Sequence, residues 1–366
     1  MPPRSINVGI IGCGEAAQVI HIPTLNHMHE WFSITYLCGI SANALEFCSK
    51  RVVNHVPKTT SEAAVLCASP DVDVVFVISS DELHPRHTIL ALRHNKHVMV
   101  EKPMAMTKAD AHSIIEAEKK SKGRVFVGYM RRYATAFIDA VNEIGGVEKI
   151  LYARVRDIIG PNSVFVGQSA TFPKQFSDYR EADVKERAAL AEEITTQGLG
   201  RECKVEPTPE LIAQYRILGG LGSHDLSAMR EALGVPDGVL GVSLGFPFWN
   251  VLFSYPTFTV TYESGFHNIP FFDAHIEIYG AHKSVRIQYD TPYVKGLPIT
   301  MHVREDAGGA LKETSIRRTY EDAFTLEMKE LYAMIVEDKP VKTTAEDAIQ
   351  DLHIFQMIMQ ARAARI

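Results

Sequence analysis

The first third of the chain alternates between short apolar runs and amphipathic segments, and that alternation restricts its fold more than any other feature. "INVGII", "SITYLCGI", "DVDVVFVIS", "KHVMVEKP" and "RVFVGYM" are the runs. "GEAAQVIHIPTL", "NALEFCSKRV", "HPRHTILALRHN" and "KADAHSIIEAEKKS" lie between them and read as helices. "DVDVVFVIS" is too continuously apolar for a half-exposed strand and suits one buried on both faces. Strand and helix in turn mean βαβ units and a doubly wound parallel sheet. An α/β domain of this kind over residues 1–128 is the expectation.

The pattern changes after about Gly145. "KILYARVRDII", "VLGVSLGFPF", "VLFSYPTFTVTYES", "HIEIYGAHKSVRIQYD" and "ITMHVRED" are strands joined by short turns, with few helices between them. They predict a mainly antiparallel sheet in a second domain, residues 129–366. A length of 366 residues suits two cores better than one. An insert at about residues 160–216 interrupts the strands with the charged helical stretch "EADVKERAALAEEITTQ". It is long and polar enough to act as a lid. Helices close the chain over about residues 322–366, with apolar residues three and four apart.

The charge balance excludes one class of partner. Lys and Arg number 38 against 44 Asp and Glu, a net charge of −6, with no long basic block. A phosphate-backbone binder is therefore not expected. "MPPRSINVGI" lacks a charged-then-apolar leader, and no run approaches the roughly 20 apolar residues that span a bilayer. A cytoplasmic protein is the expectation. The five cysteines are odd in number and form no C-x-x-C pair, as free thiols in a reducing compartment would. Cys13 reads as a small filler. The histidines His21, His27 and His29 lack Cys or carboxylate partners at metal spacing, so no metal is expected.

The first strand runs into Gly12-x-Gly14-x-x-Ala17, and a helix follows. In that context the glycines predict a dinucleotide site. Gly12 permits a tight turn, Gly14 lets backbone approach a pyrophosphate, and Ala17 lets the helix pack close to the strand. Glu15 and Ala16 lie in the turn between, where free N–H groups face a phosphate. An acid at the end of the second strand would hold a ribose 2′-hydroxyl and repel a 2′-phosphate. Gly39 falls near that place, and the next acid is Glu46. Ser41 can hydrogen-bond a 2′-phosphate, although no Arg stands beside it; Lys50 and Arg51 lie further along. The reading is NADP or NAD, leaning to NADP.

"SSDELHPRHTILALRHNKHVMVEKPMA" and "VGYMRRYATAF" resemble the glucose–fructose oxidoreductase, inositol dehydrogenase and MocA family. The matching features are Ser79-Ser80-Asp81 at a strand end, then His84, Lys96-His97-Val98 and Glu101-Lys102-Pro103. "YEDAFTLEMKELYAMIVEDKP" and "AEDAIQDLHIFQMI" are similar to the family's closing helices. The resemblance implies a Rossmann domain followed by an open-faced antiparallel sheet, with the final helices returning toward the first domain. It implies pairing into dimers or tetramers through the open sheet face. It implies oxidation of a sugar or polyol hydroxyl, or reduction of the matching carbonyl, with NAD or NADP. Ser79, Ser80, His84, Glu101, Lys102, Pro103 and Arg131 are then expected near the cofactor.

Oxidising an alcohol requires a proton acceptor on the hydroxyl with a pKa near working pH. Lys102, at the carboxyl end of a parallel strand, is one candidate, because a neighbouring positive nicotinamide would lower its pKa. His224 in "LGGLGSHDLSAMREALG" is the other. It matches the His of a family Asp-x-x-x-His-x-x-Asp pattern, but the two Asp positions hold Gly220 and Ser227. Asp225 is adjacent in sequence and points about 100° away on a helix. Either the two groups act without the carboxylate, or a group from the insert replaces it. Tyr129 and Arg132, and Asn162 and Gln168 on the insert, are expected to meet the substrate. Two other readings are a nucleotide-binding sensor without turnover and a redox-assisted glycoside elimination or hydrolysis.

Overall fold

The computed structural model describes residues 4–364. The chain divides into two units. One takes the chain up to Gly128 with Thr171–Glu202 and Met328–Leu352; the other takes Tyr129–Ala170, Cys203–Glu327 and the end of the chain from His353.

The first unit is built on six parallel strands: β1 Ile6–Ile11, β2 Phe32–Cys38, β3 Lys58–Thr60, β4 Val74–Val77, β5 His97–Glu101 and β6 Val125–Gly128. Their order is β3-β2-β1-β4-β5-β6. All four residues of β4 are fully buried, as the continuous run required. Strand order reverses between β1 and β4, and a crevice at such a switch point is where open α/β sheets bind ligands. The free edge of β6 is covered from the same unit: Val127 N–H donates to Thr343 O at 2.9 Å. Trp31 packs on Tyr332 with ring centroids 4.5 Å apart. Glu202 caps the helix Lys108–Lys119, accepting from the N–H groups of Lys108 (2.7 Å) and Ala109 (3.1 Å).

The second unit holds eight strands: β7 Tyr152–Ile159, β8 Gly238–Leu244, β9 Phe248–Ser254, β10 Thr259–Phe266, β11 Phe272–Tyr279, β12 Lys283–Tyr289, β13 Thr300–Asp306 and β14 Leu311–Ile316. Their order is β14-β13-β12-β11-β7-β10-β9-β8, and every pairing is antiparallel except β7 with β10. Alternation sets the faces. On β9, Trp249, Val251 and Phe253 are buried, while Phe248, Asn250 and Leu252 are exposed. Among the described residues no helix is long and apolar enough to cross a membrane.

Candidate active site

Gly12 follows β1 with φ +111°, and its N–H donates to Cys38 O at 2.9 Å. A Cβ there would lie 2.3 Å from Ile78 O. At Gly14 a Cβ would meet nothing within 4 Å. The first glycine is therefore required by the turn itself. The second opens onto free space, the close approach that a pyrophosphate needs. A π-helical turn, Ala17–His21, leads into the helix Ile22–His27. Ala17 is buried, Ala16 is half-buried and Glu15 is exposed. These residues fit a dinucleotide.

Ser79 and Ser80 follow β4 and are half-buried. The Ser79 hydroxyl pairs with His87 Nδ1 at 2.9 Å. Burial, then the neighbouring His84 and Arg86, push His87 down to about 4. His84 is 2% exposed. Its Nδ1 lies 2.8 Å from Pro103 O and its Nε2 2.9 Å from Ser79 O. Both ring nitrogens thus face backbone carbonyls, so His84 braces the two loops that follow β4 and β5.

Glu101 ends β5. Its Oε1 lies 2.7 Å from His21 Nε2, and its Oε2 accepts from the backbone N–H of Lys102 at 3.1 Å. Burial pushes this carboxyl up, but the hydrogen bond and charge of His21, then Lys102, outweigh it and hold it below the usual range. Lys102 is half-buried at the carboxyl end of the strand, joined to Pro103 by a cis peptide bond. Gly12, Ser79 and Lys102 follow β1, β4 and β5, so the predicted residues of this unit share one edge of the sheet.

In the second unit the predicted residues are engaged differently. Arg131 is 4% exposed and pairs with Asp225 through Nη1 and with Asp157 through Nη2 (3.1 Å). Its guanidinium also lies 4.7 Å from the centroid of the Tyr289 ring. Burial, offset in part by Arg131 and reinforced by Asp157, raises the Asp225 carboxyl well above its ordinary value. Arg132 is equally buried and pairs with Glu231. Arg132 and Arg230 flank the buried Tyr129 ring at 5.5 and 5.7 Å. Asn162 and Gln168 are exposed. His224 is half-buried in the first turn of the helix Ser223–Leu233. Gly220 lies in the preceding π-helical turn, Leu218–Gly222, where a Cβ would meet nothing within 4 Å.

Three contributors were not foreseen from the sequence. His21 holds Glu101, His87 holds Ser79, and Asp178 of the insert hydrogen-bonds Ser41. Each pairing joins residues distant in the chain or on different elements, so no local pattern marks it. The five cysteines are free and buried, and burial above all pushes Cys38 and Cys67 up to about 12. No group of three or more His, Cys, Asp or Glu among the described residues is placed to hold a metal ion.

A sequence model of the glucose–fructose oxidoreductase, inositol dehydrogenase and MocA family, an oxidoreductase family with an NAD-binding Rossmann fold, matches residues 6–129. Over these residues the chain is similar to that family. The inositol 2-dehydrogenase of Salmonella paratyphi B is 31% identical over 145 residues, which is 39% of this chain and 43% of that protein. The chain therefore matches less than half the length of such curated family members. Two solved structures share the fold over nearly the whole chain. Levoglucosan dehydrogenase, in complex with NADH and levoglucosan, is 16% identical with a TM-score of 0.72, covering 99% of this chain and 98% of its own. A 3-ketoreductase from Actinomadura kijaniata, in complex with NADP and TDP-benzene, is 15% identical with a TM-score of 0.72, covering 98% of each chain.

Proposed function

We propose that the chain is an NAD(P)-dependent oxidoreductase acting on a hydroxyl or carbonyl of a sugar, sugar acid or cyclic polyol. The observation that carries this reading is the carboxyl edge of the parallel sheet, with the open Gly14 backbone after β1 and the braced Lys102 after β5. The names of the inositol and levoglucosan dehydrogenases support the substrate class.

The bound nicotinamide supplies the hydride chemistry. In this reading the backbone at Gly12, Gly14, Glu15, Ala16 and Ala17 holds the pyrophosphate, and Ser41 stands at the adenosine ribose. Ser79, Ser80, His84, Glu101 and Pro103 shape the wall of the cofactor site. Lys102 Nζ takes the substrate hydroxyl proton during oxidation and returns it during reduction, and His224 is the second proton-handling residue. Tyr129, Arg132, Asn162 and Gln168 belong to the substrate side. Arg131, held by Asp157 and Asp225, acts through the position of the helix that carries His224. The same reading includes pairing of two or four copies through the open face of the eight-stranded sheet, and a cytosolic setting in which the cysteines stay reduced.

The test is cofactor reduction with NAD or NADP against inositols, levoglucosan and aldoses, in wild type and Lys102→Met. The expected result is turnover of at least one of them, reduced on the order of 100-fold or more by the substitution, with NADH or NADPH binding retained. Wild-type turnover in Lys102→Met overturns the role of Lys102. Gly220, standing where the family pattern has Asp, favours a second reading, a sensor that binds nucleotide and turns nothing over. Nucleotide binding with no turnover on any of these substrates is its signature.

A further inference from the structure

The acid expected at the end of β2 is missing, and Gly39 stands in its place. A carboxylate arrives there from 137 residues further along the chain. Asp178 Oδ1 accepts from the Ser41 hydroxyl at 2.5 Å, and its Oδ2 accepts from the backbone N–H of Asn43 at 3.1 Å. Ser41 in turn caps the helix Ala42–Ser49, accepting from the N–H of Ala44 at 2.9 Å. The donors that a 2′-phosphate would use after β2, a hydroxyl and a free helix amide, are thus both taken by Asp178.

The segment that carries Asp178 is fastened to the same unit at several points. Arg51 donates to Phe172 O at 3.3 Å. Gln18, in the helical turn after Gly14, exchanges two hydrogen bonds with Lys174: Nε2 to Lys174 O at 3.1 Å, and Lys174 N–H to Oε1 at 2.8 Å. The Phe176 ring meets Phe47 at 5.5 Å in an edge arrangement. Residues 171–178 are therefore pinned to the helices that follow β1 and β2, and Asp178 is held in place.

We propose that Asp178 sets cofactor choice, taking the role of the missing strand-end acid and selecting a dinucleotide with a free 2′-hydroxyl, NAD, over one with a 2′-phosphate. This rests on the reading of the Gly12 turn as a dinucleotide site. A carboxylate oxygen with a spare lone pair accepts a ribose hydroxyl, whereas a phosphate brings like charge to donors that are already engaged. The Ser41 hydroxyl and the Asn43 amide hold Asp178 below its usual range, so it is ionised at neutral pH. The lean toward NADP rested on the absence of an acid, and Asp178 supplies one.

The test is titration of wild type, Asp178→Asn and Asp178→Ala with NADH and NADPH separately, following quenching of intrinsic fluorescence. Asp178 is exposed, and Asn keeps its shape, so the Asn variant isolates the charge. The expected result is about tenfold or greater preference of the wild type for NADH. Both variants should shrink that ratio by about tenfold, mainly by gaining NADPH affinity. A wild type that prefers NADPH, or a ratio unmoved in both variants, overturns the proposal and leaves Asp178 a helix cap. NADH binding with an unmoved ratio removes only this inference. Binding of neither nucleotide to any of the three proteins removes the dinucleotide reading as well.

Discussion

His21 and Glu101 meet at 2.7 Å, tying the helical turn that follows Gly14 to the strand end that presents Lys102. The other Glu101 oxygen holds the Lys102 amide at 3.1 Å. One carboxylate thus fixes both the turn after Gly14 and the strand end that presents Lys102. In Glu101→Gln the amide oxygen can still accept from the Lys102 N–H, while the –NH2 faces His21 Nε2, so the contact with His21 loses its charge and is weakened. The expected cost is about 1–3 kcal/mol of stability, measured by urea unfolding at pH 7. Turnover should fall further than cofactor affinity, because the strand end that presents Lys102 is tied less firmly to the turn after Gly14. Stability equal to wild type would show that the contact holds nothing.

Acid should loosen the structure through its buried histidines. His87 is held at about 4 by burial, then by His84 and Arg86, against an ordinary value of 6.5. The native state therefore resists protonation that the unfolded chain accepts. The stability that His87 contributes is present above pH 6.5 and is lost as pH falls toward 4. From pH 7 to pH 5 that is about 2 kcal/mol from this residue. His275 is pushed to about 4 by burial, then by Arg286, and adds loss in the same direction. Urea midpoints at the two pH values measure the sum, and His87→Gln should flatten the decline. An equally steep decline in that variant would assign it to other groups.

The alternation of runs and helices made the first sheet legible, because parallel strands buried on both faces leave a continuous apolar signature, as β4 does. One edge strand of each sheet was not legible. β3 is three residues, Lys-Thr-Thr, and β14 is polar and largely exposed, so neither carries a buried pattern to read. The glycine turn and Glu101-Lys102-Pro103 were visible as local motifs. Asp178 at Ser41 was not, since spacing in sequence says nothing about a contact 137 residues long. The insert itself misleads: the helix Glu181–Ile194 buries only Ile194, so its composition gives no sign of the unit to which it belongs.

Gly220 offers a gain-of-function test. A Cβ there meets nothing within 4 Å, and the backbone is helical, so Gly220→Asp should fold without strain. The new carboxylate lies four residues before His224, within reach on one helical face. A negative charge beside an imidazole favours its protonated form. The limb of the pH profile of kcat/KM that reports His224 should therefore move to higher pH, with kcat rising about tenfold if proton transfer limits turnover. A profile that does not move would show that His224 takes no part in the proton transfer.

The two glycines of the turn should separate folding from binding. Gly12 has φ +111° and no room for a side chain, with Ile78 O 2.3 Å from a Cβ. Gly12→Ala should therefore destabilise by more than about 2 kcal/mol, through left-handed backbone and steric contact together. Gly14 has neither constraint, so Gly14→Ala should leave the melting temperature within about 2 °C of wild type. Yet its methyl group would project into the open space that the proposed function assigns to the pyrophosphate, and NADH affinity should fall by about tenfold or more. Thermal denaturation and fluorescence titration on the same two variants give both readouts. A Gly14→Ala protein that binds NADH as wild type does would mean that the phosphates do not approach this backbone, and that Gly14 is open for another reason.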